Sequence, residues 1–186
     1  MNEYKNELDC YTRLNKVAQK GGVVFFGSTF AKNIPVSELG QTFNINCNVY
    51  NRSFADLSVF DAQELIDDAV MILAPKKVIL QFGETDIERG YKSVTEIINA
   101  YEQLINKIKK VDKKIKMVIV SVCSDEQDCK DLNIALESLA VKCKCQYADI
   151  TTAKTNEIPS IKAFSMLRYF ILDKFSFYDA MNFVNV

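Results

Sequence analysis

Five short polar clusters follow apolar runs, and each carries groups able to do chemistry. They are Gly27-Ser28-Thr29, Ser53-Phe54-Ala55-Asp56, Gly83-Glu84-Thr85-Asp86, Cys123-Ser124 and Asp149-Ile150-Thr151-Thr152. Hydroxyls such as Ser28, Thr29 and Thr85 suit a nucleophile or an oxyanion donor. Carboxylates such as Glu84, Asp86 and Asp179 are the available proton acceptors. The 186 residues contain no histidine. A Ser-His or Cys-His pair is therefore excluded within this sequence. Gly27-Ser28-Thr29 also offers backbone amides and hydroxyls to an anion, although no glycine-rich fingerprint and no P-loop lysine follow it.

The apolar runs before these clusters read as buried parallel strands at Val23–Phe26, Phe43–Tyr50, Lys77–Phe82, Met117–Val122 and Cys145–Ile150. Helical patterns lie between them. One runs over Glu3–Gln19 with a stripe of Leu8, Tyr11, Leu14 and Val17. A short turn follows at Val36–Leu39. A helix capped by Asp56 or Ser58 reaches Leu73, and a long one opens on the capping box Ser93–Glu96. The last starts at Asp125 or Asp128 and ends near Val141. This alternation predicts one domain over residues 1–186. It is an α/β/α sandwich with a doubly wound parallel sheet of five strands in the flavodoxin-like order 2-1-3-4-5. In that order the first three clusters meet at the switch point between strands 1 and 3, where open sheets bind ligands.

Composition narrows the function classes. Hydrophobic residues make up 48% of the chain and the net charge is -1. That describes a globular protein and argues against a nucleic-acid partner. The lysines of 107–116 are expected to complement a helix C-terminus and keep a loop solvated. No apolar run approaches the ~20 residues of a membrane span. The polar N-terminus lacks an apolar signal region, so a cytoplasmic protein is expected. The six cysteines show no paired C-x2-C spacing, so they read as reduced thiols and no metal is expected. The aromatic segment from Ile161 to Phe183 must dock on the body or on a partner, for example a second copy in a homodimer.

The clusters resemble the blocks of the SGNH hydrolases, the GDSL-type esterases and lipases. The family's Gly-Asp-Ser turn is matched by Gly27-Ser28-Thr29, and its Asn-Arg-Gly-x-x-Gly block by Asn51 to Asp56. Its Gly-x-Asn-Asp block is matched by Gly83 to Asp86, and its Asp-x-x-His block by Asp179 to Asn182. The resemblance implies that Thr29 holds the nucleophile position, with Ser28 in place of the preceding aspartate. The oxyanion-hole positions fall near Ala55 or Asp56 and on Thr85. Asp179 and Asn182 take the places of the triad's acid and base. No cofactor is implied, and the substrate class is an acyl or carbohydrate ester.

The substitutions bear directly on that chemistry. Asn182 cannot take and return a proton, and Thr85 reaches less far than asparagine. Losing one oxyanion donor typically costs ~100 to 1000-fold in rate. The expectation is a hydrolase-like protein with catalysis lost or strongly impaired, binding a small ligand or a partner at the strand edge. An acylhydrolase using Thr29 with a carboxylate base is the alternative. A flavodoxin-like binding protein is the third reading.

Overall fold

Strand β1 (Val23–Gly27) runs through the middle of the sheet with all five residues buried. It pairs in parallel with β2 (Val49–Asn51) on one side and β3 (Lys77–Gln81) on the other. Then come β4 (Lys116–Val120) and β5 (Gln146–Ala148), giving the order β2-β1-β3-β4-β5, all parallel. This is the predicted order. The computed structural model describes residues 4–90, 93–124, 126–155 and 158–173.

Period-two alternation along the strands builds an apolar layer on each face of the sheet. Val24, Phe26, Val78, Leu80 and Ile119 face one layer. It is covered by α1 (Lys5–Asn15), α4 (Val59–Ala69), α6 (Val94–Val111) and α7 (Gln127–Cys143). Val23, Phe25, Ile79, Val118 and Val120 face the other. There α3 (Val36–Thr42) and α8 (Pro159–Leu172) pack. Two short helices, α2 (Thr29–Lys32) and α5 (Glu84–Glu88), open directly at the ends of β1 and β3. Both predicted caps form: the Ser58 hydroxyl accepts from the Asp61 amide, and Ser93 with Glu96 completes a capping box.

Four expectations are corrected. The strand predicted over 43–50 pairs only at Val49–Asn51. Helix α3 continues to Thr42, and Asn44 takes a left-handed φ of 51° that breaks the run. Phe43 instead stacks on Phe164 of α8, with ring centres 5.9 Å apart. The apolar alternation there therefore records tertiary contacts of a loop. The last strand is limited to Gln146–Ala148, because α7 runs on to Cys143. Helix α1 does not use the whole predicted stripe. It docks through Leu8 and Tyr11, preceded by Tyr4, while Leu14 and Val17 are exposed. Finally, Thr29 and Glu84 start helices where turns were expected.

The first part of the aromatic segment docks on the body: Phe164, Leu167 and Ile171 of α8 are buried. Asp179, Asn182 and the rest of that segment lie outside the described residues, as does Asp125. No described helix is long and apolar enough to cross a membrane.

Candidate active site

The ends of β1, β3 and β4 and the loop after β2 meet in a cleft of about 410 Å³ at the carboxyl edge. That size falls within the range of small-ligand sites. Thr29, Asp56, Glu84, Thr85, Cys123 and Ser124 line it, together with Phe30, Asn33, Glu88 and Val122. Thr29, Glu84 and Thr85 thus come together, while Asp179, expected to converge with Thr29 and Thr85, lies outside the described residues. Ser28 lies fully buried beneath them. Ala55 is not part of the lining, whereas its neighbour Asp56 is.

Thr29 is the first residue of α2, with Ser28 at the cap position. Its hydroxyl donates to Asp56 Oδ1 at 2.9 Å and accepts from the Asp56 backbone amide, also at 2.9 Å. Asp56 therefore satisfies this hydroxyl as donor and as acceptor. Asp56 has φ 53°, a left-handed conformation. The resembled block has a glycine at this place, and here an aspartate adopts the backbone shape that glycine favours. Aspartate is among the few non-glycine residues that visit this region routinely. The Asp56 carbonyl accepts from Tyr4 Oη at 3.1 Å and from Arg89 Nη2 at 2.9 Å, which fixes the turn from outside.

The Ser28 and Thr85 hydroxyls lie 2.6 Å apart, both buried, and share one hydrogen bond. Glu84 reaches back across the cleft floor. Its Oε1 accepts from the Phe30 amide at 2.8 Å and its Oε2 from Gln81 Nε2 at 2.9 Å. Burial pushes the Glu84 carboxyl upward, opposed by those two hydrogen bonds. Cys123 is oriented toward the carbonyls of Ile150 and Thr151, at 3.7 and 3.9 Å, and burial raises its thiol above the ordinary range. It is a poor nucleophile there.

Three polar hydrogens at this edge are therefore already committed. The Asp56 amide goes to Thr29, the Phe30 amide to Glu84, and one hydroxyl hydrogen joins Ser28 and Thr85. An oxyanion drawing on any of these three must displace a protein acceptor, which is a carboxylate in the case of the Phe30 amide. Preorganised donors aimed at an empty position are what an oxyanion hole requires.

Asp86 is brought to the region but not into the cleft. It is buried, and its carboxylate accepts from the Val59 amide at 3.2 Å, at the start of α4. Burial pushes it up to about 6, although the Val59 amide and Arg89 favour the charged form. The folded protein thus holds this proton between about pH 4 and 6, where the unfolded chain has released it. Stability attributable to Asp86 falls across that window and stays lower above it. Asp86→Asn is expected to raise stability at pH 7 by about 1 to 3 kcal/mol, with the gain vanishing below pH 4. Urea unfolding of both proteins at pH 3.5 and 7 checks this; an equal gain at both values contradicts it.

Asn51 and Arg52, which open the segment matched to the Asn-Arg-Gly-x-x-Gly block, do structural work. Asn51 Nδ2 donates to the Ala31 carbonyl at 2.7 Å and the Ile34 carbonyl at 3.1 Å, and its Oδ1 accepts from the Ser53 amide. Arg52 is buried with Nε on Asn15 Oδ1 at 2.9 Å, between the rings of Tyr11 and Tyr50. The sequence reading missed the Asp56 carboxylate as the partner of Thr29. The signal was an aspartate at a glycine position of the resembled block.

No protein-family profile matches the chain, and no curated protein matches it by sequence. Solved structures do match over most of its length. A protein of Streptococcus pneumonia provisionally described as a platelet activating factor superposes with a TM-score of 0.78 at 16% identity, covering 91% of this chain and 93% of its own. A GDSL-like lipase of Bacteroides thetaiotaomicron gives 0.72 at 15% identity, with coverages of 89% and 95%. Axe2, an acetyl-xylooligosaccharide esterase of Geobacillus, gives 0.66 at 11% identity, with coverages of 86% and 97%. The fold is that of the GDSL-like lipases. At these identities the likeness concerns the GDSL-type fold alone. In Axe2, variants with a serine or a histidine replaced by alanine are described as catalytic mutants. The present chain has no histidine, and the resemblance puts a threonine in the serine's place.

Proposed function

We propose that this chain is a GDSL-type hydrolase fold whose ester-cleaving chemistry is lost or strongly impaired, and whose carboxyl-edge cleft binds a small ligand. One observation carries the reading: the Thr29 hydroxyl is engaged by Asp56 both as donor and as acceptor, in a chain without histidine. An aspartate is a weak general base toward an aliphatic alcohol, and the methyl group of threonine crowds an approaching carbonyl carbon. The Asp56 and Phe30 amides and the hydroxyl hydrogen between Ser28 and Thr85 are already engaged by protein acceptors. Among the described residues, the cleft lining is polar, with three carboxylates, Asp56, Glu84 and Glu88, and no basic residue.

Turnover of p-nitrophenyl acetate tests this. The expected result is that the wild type and Thr29→Ala hydrolyse the ester at the same rate, within about twofold of each other. Turnover that depends on Thr29 and exceeds that background contradicts the proposal.

The Thr29–Asp56 contact also favours a second reading, an acylhydrolase with Thr29 as nucleophile and Asp56 as base. In that case Asp56→Asn lowers kcat at least ~100-fold, because a general base typically contributes that much.

A further inference from the structure

The opposite edge of the sheet carries a second concave region, with the reverse charge. Two adjoining cavities of about 690 and 500 Å³ share Lys114, Ile115, Lys116 and Asp173. Among the described residues, their lining holds seven lysines and two aspartates, with no arginine and no aromatic residue. The chain as a whole has net charge -1, so this concentration reflects placement and not composition. The lysines come from separate parts of the chain. Lys76 and Lys77 enter β3, Lys109 lies on α6, and Lys113 and Lys114 follow it. Lys116 enters β4, and Lys144 caps α7.

A helix C-terminus attracts lysines, which accounts for Lys109 and Lys144. It does not account for Lys76, Lys77 and Lys116 at the starts of strands. The two aspartates are also committed. Asp173 pairs with Lys77 at 2.7 Å and Lys116 at 2.8 Å, and Asp112 Oδ1 accepts from the Lys114 backbone amide at 2.8 Å. Among the described residues, no hydrogen bond or ion pair engages the ammonium groups of Lys76, Lys113, Lys114 and Lys144, all four exposed. Lys144 has φ 54°, at a helix-end position that favours glycine or asparagine.

We propose that this amino-edge groove binds a linear oligophosphate. Lysines act as mobile point charges that suit dense negative charge without a fixed hydrogen-bond geometry. Among the described lining residues there is no arginine fork for bidentate recognition and no aromatic side chain on which a base could stack. These absences in the lining favour a bare phosphate chain over a nucleotide or a nucleic-acid strand. Converging lysines in a concavity also reinforce one another's potential, which a single surface lysine cannot do.

The test is calorimetric titration of the full chain with sodium tripolyphosphate in 50 mM NaCl. Binding is expected, and it should weaken at least tenfold in 500 mM NaCl, as charges screen. Lys114→Gln combined with Lys144→Asn is expected to weaken it at least tenfold in 50 mM NaCl. Both residues are exposed, and asparagine suits the backbone at 144 better than lysine does, so the variant retains its fold. Its melting temperature, measured alongside, should be unchanged or higher. No heat of binding, or undiminished affinity in the variant, overturns the proposal. Binding of an oligothymidine strand with no response to tripolyphosphate also overturns it.

Discussion

Gly27→Ala is expected to lower stability by about 3 kcal/mol or more, in the range of severe overpacking. The cause is not a special backbone angle. A Cβ on Gly27 would lie 2.2 Å from the Gln81 carbonyl oxygen and 2.8 Å from Ala31 Cβ. The first is backbone of the neighbouring strand and cannot swing away. The Gln81 carbonyl also accepts from the Ser28 amide at 3.0 Å, and the Gly27 carbonyl accepts from the Phe54 amide at 3.1 Å. Any retreat of β3 or of the turn therefore breaks the contacts that place Ser28 and Asp56. Since whole domains are stable by only ~5 to 15 kcal/mol, the variant should show a large drop in its urea midpoint. Gly40→Ala is the control. Gly40 lies inside α3 with nothing within 4 Å of an added Cβ, so alanine should stabilise by about 0.5 to 1 kcal/mol. Equal midpoints for the two variants would show that the β1 turn is not closed against β3.

This close approach explains why Gly27 could be read from the sequence while its consequence could not. The run Val23-Val24-Phe25-Phe26 announces a strand buried on both faces, and its end at Gly27 announces a turn. The strand order and the crossover helices follow from the same alternation and from the handedness of parallel connections. What stayed hidden depends on contacts between distant residues. Phe43 and Ile45 alternate with asparagines as a strand would, yet they belong to a loop held by Phe164, more than a hundred residues away. Leu14 and Val17 complete a helical stripe on paper, but the chain leaves α1 at Asn15, whose side chain donates to the carbonyls of Asp68 and Ala69. At the site, Thr29, Glu84 and Thr85 were legible because they follow strands. Their pairings were not. Glu84 passes for a solvated loop carboxylate until α5 turns it onto the Phe30 amide, 54 positions earlier. Asp56 passes for a lost glycine until the left-handed turn brings its carboxylate to Thr29.

Phe54→Ala carries the second large effect, an expected loss of about 3 to 5 kcal/mol, as for other fully buried phenylalanines. Phe54 is completely buried, although it sits in the loop between Ser53 and Asp56. Its ring makes edge contacts with Tyr4, Tyr11 and Phe26, at centroid distances of 5.8, 5.1 and 6.4 Å. The two tyrosines also grip the loop by their hydroxyls: Tyr11 donates to the Ser53 carbonyl at 2.6 Å and Tyr4 to the Asp56 carbonyl at 3.1 Å. The N-terminal helix is thus the outer wall of the Asp56 turn, and Phe54 is the plug between wall and sheet. Removing the ring leaves a cavity that only movement of α1 or of the loop can close. Movement of the loop separates Asp56 from Thr29. Tyr11→Phe isolates the smaller part of the effect: it keeps the ring and removes the hydroxyl that the Ser53 carbonyl and Glu7 both contact, at a cost of about 1 kcal/mol. Thermal melts of Phe54→Ala, Phe54→Leu and Tyr11→Phe should rank in that order of damage only if the ring, and not the hydroxyls, carries most of the energy. A Phe54→Ala protein as stable as Tyr11→Phe would mean that α1 is not anchored on this loop. The turn holding Asp56 against Thr29 would then have to be stabilised by the sheet and by Arg89, which donates to the Asp56 carbonyl.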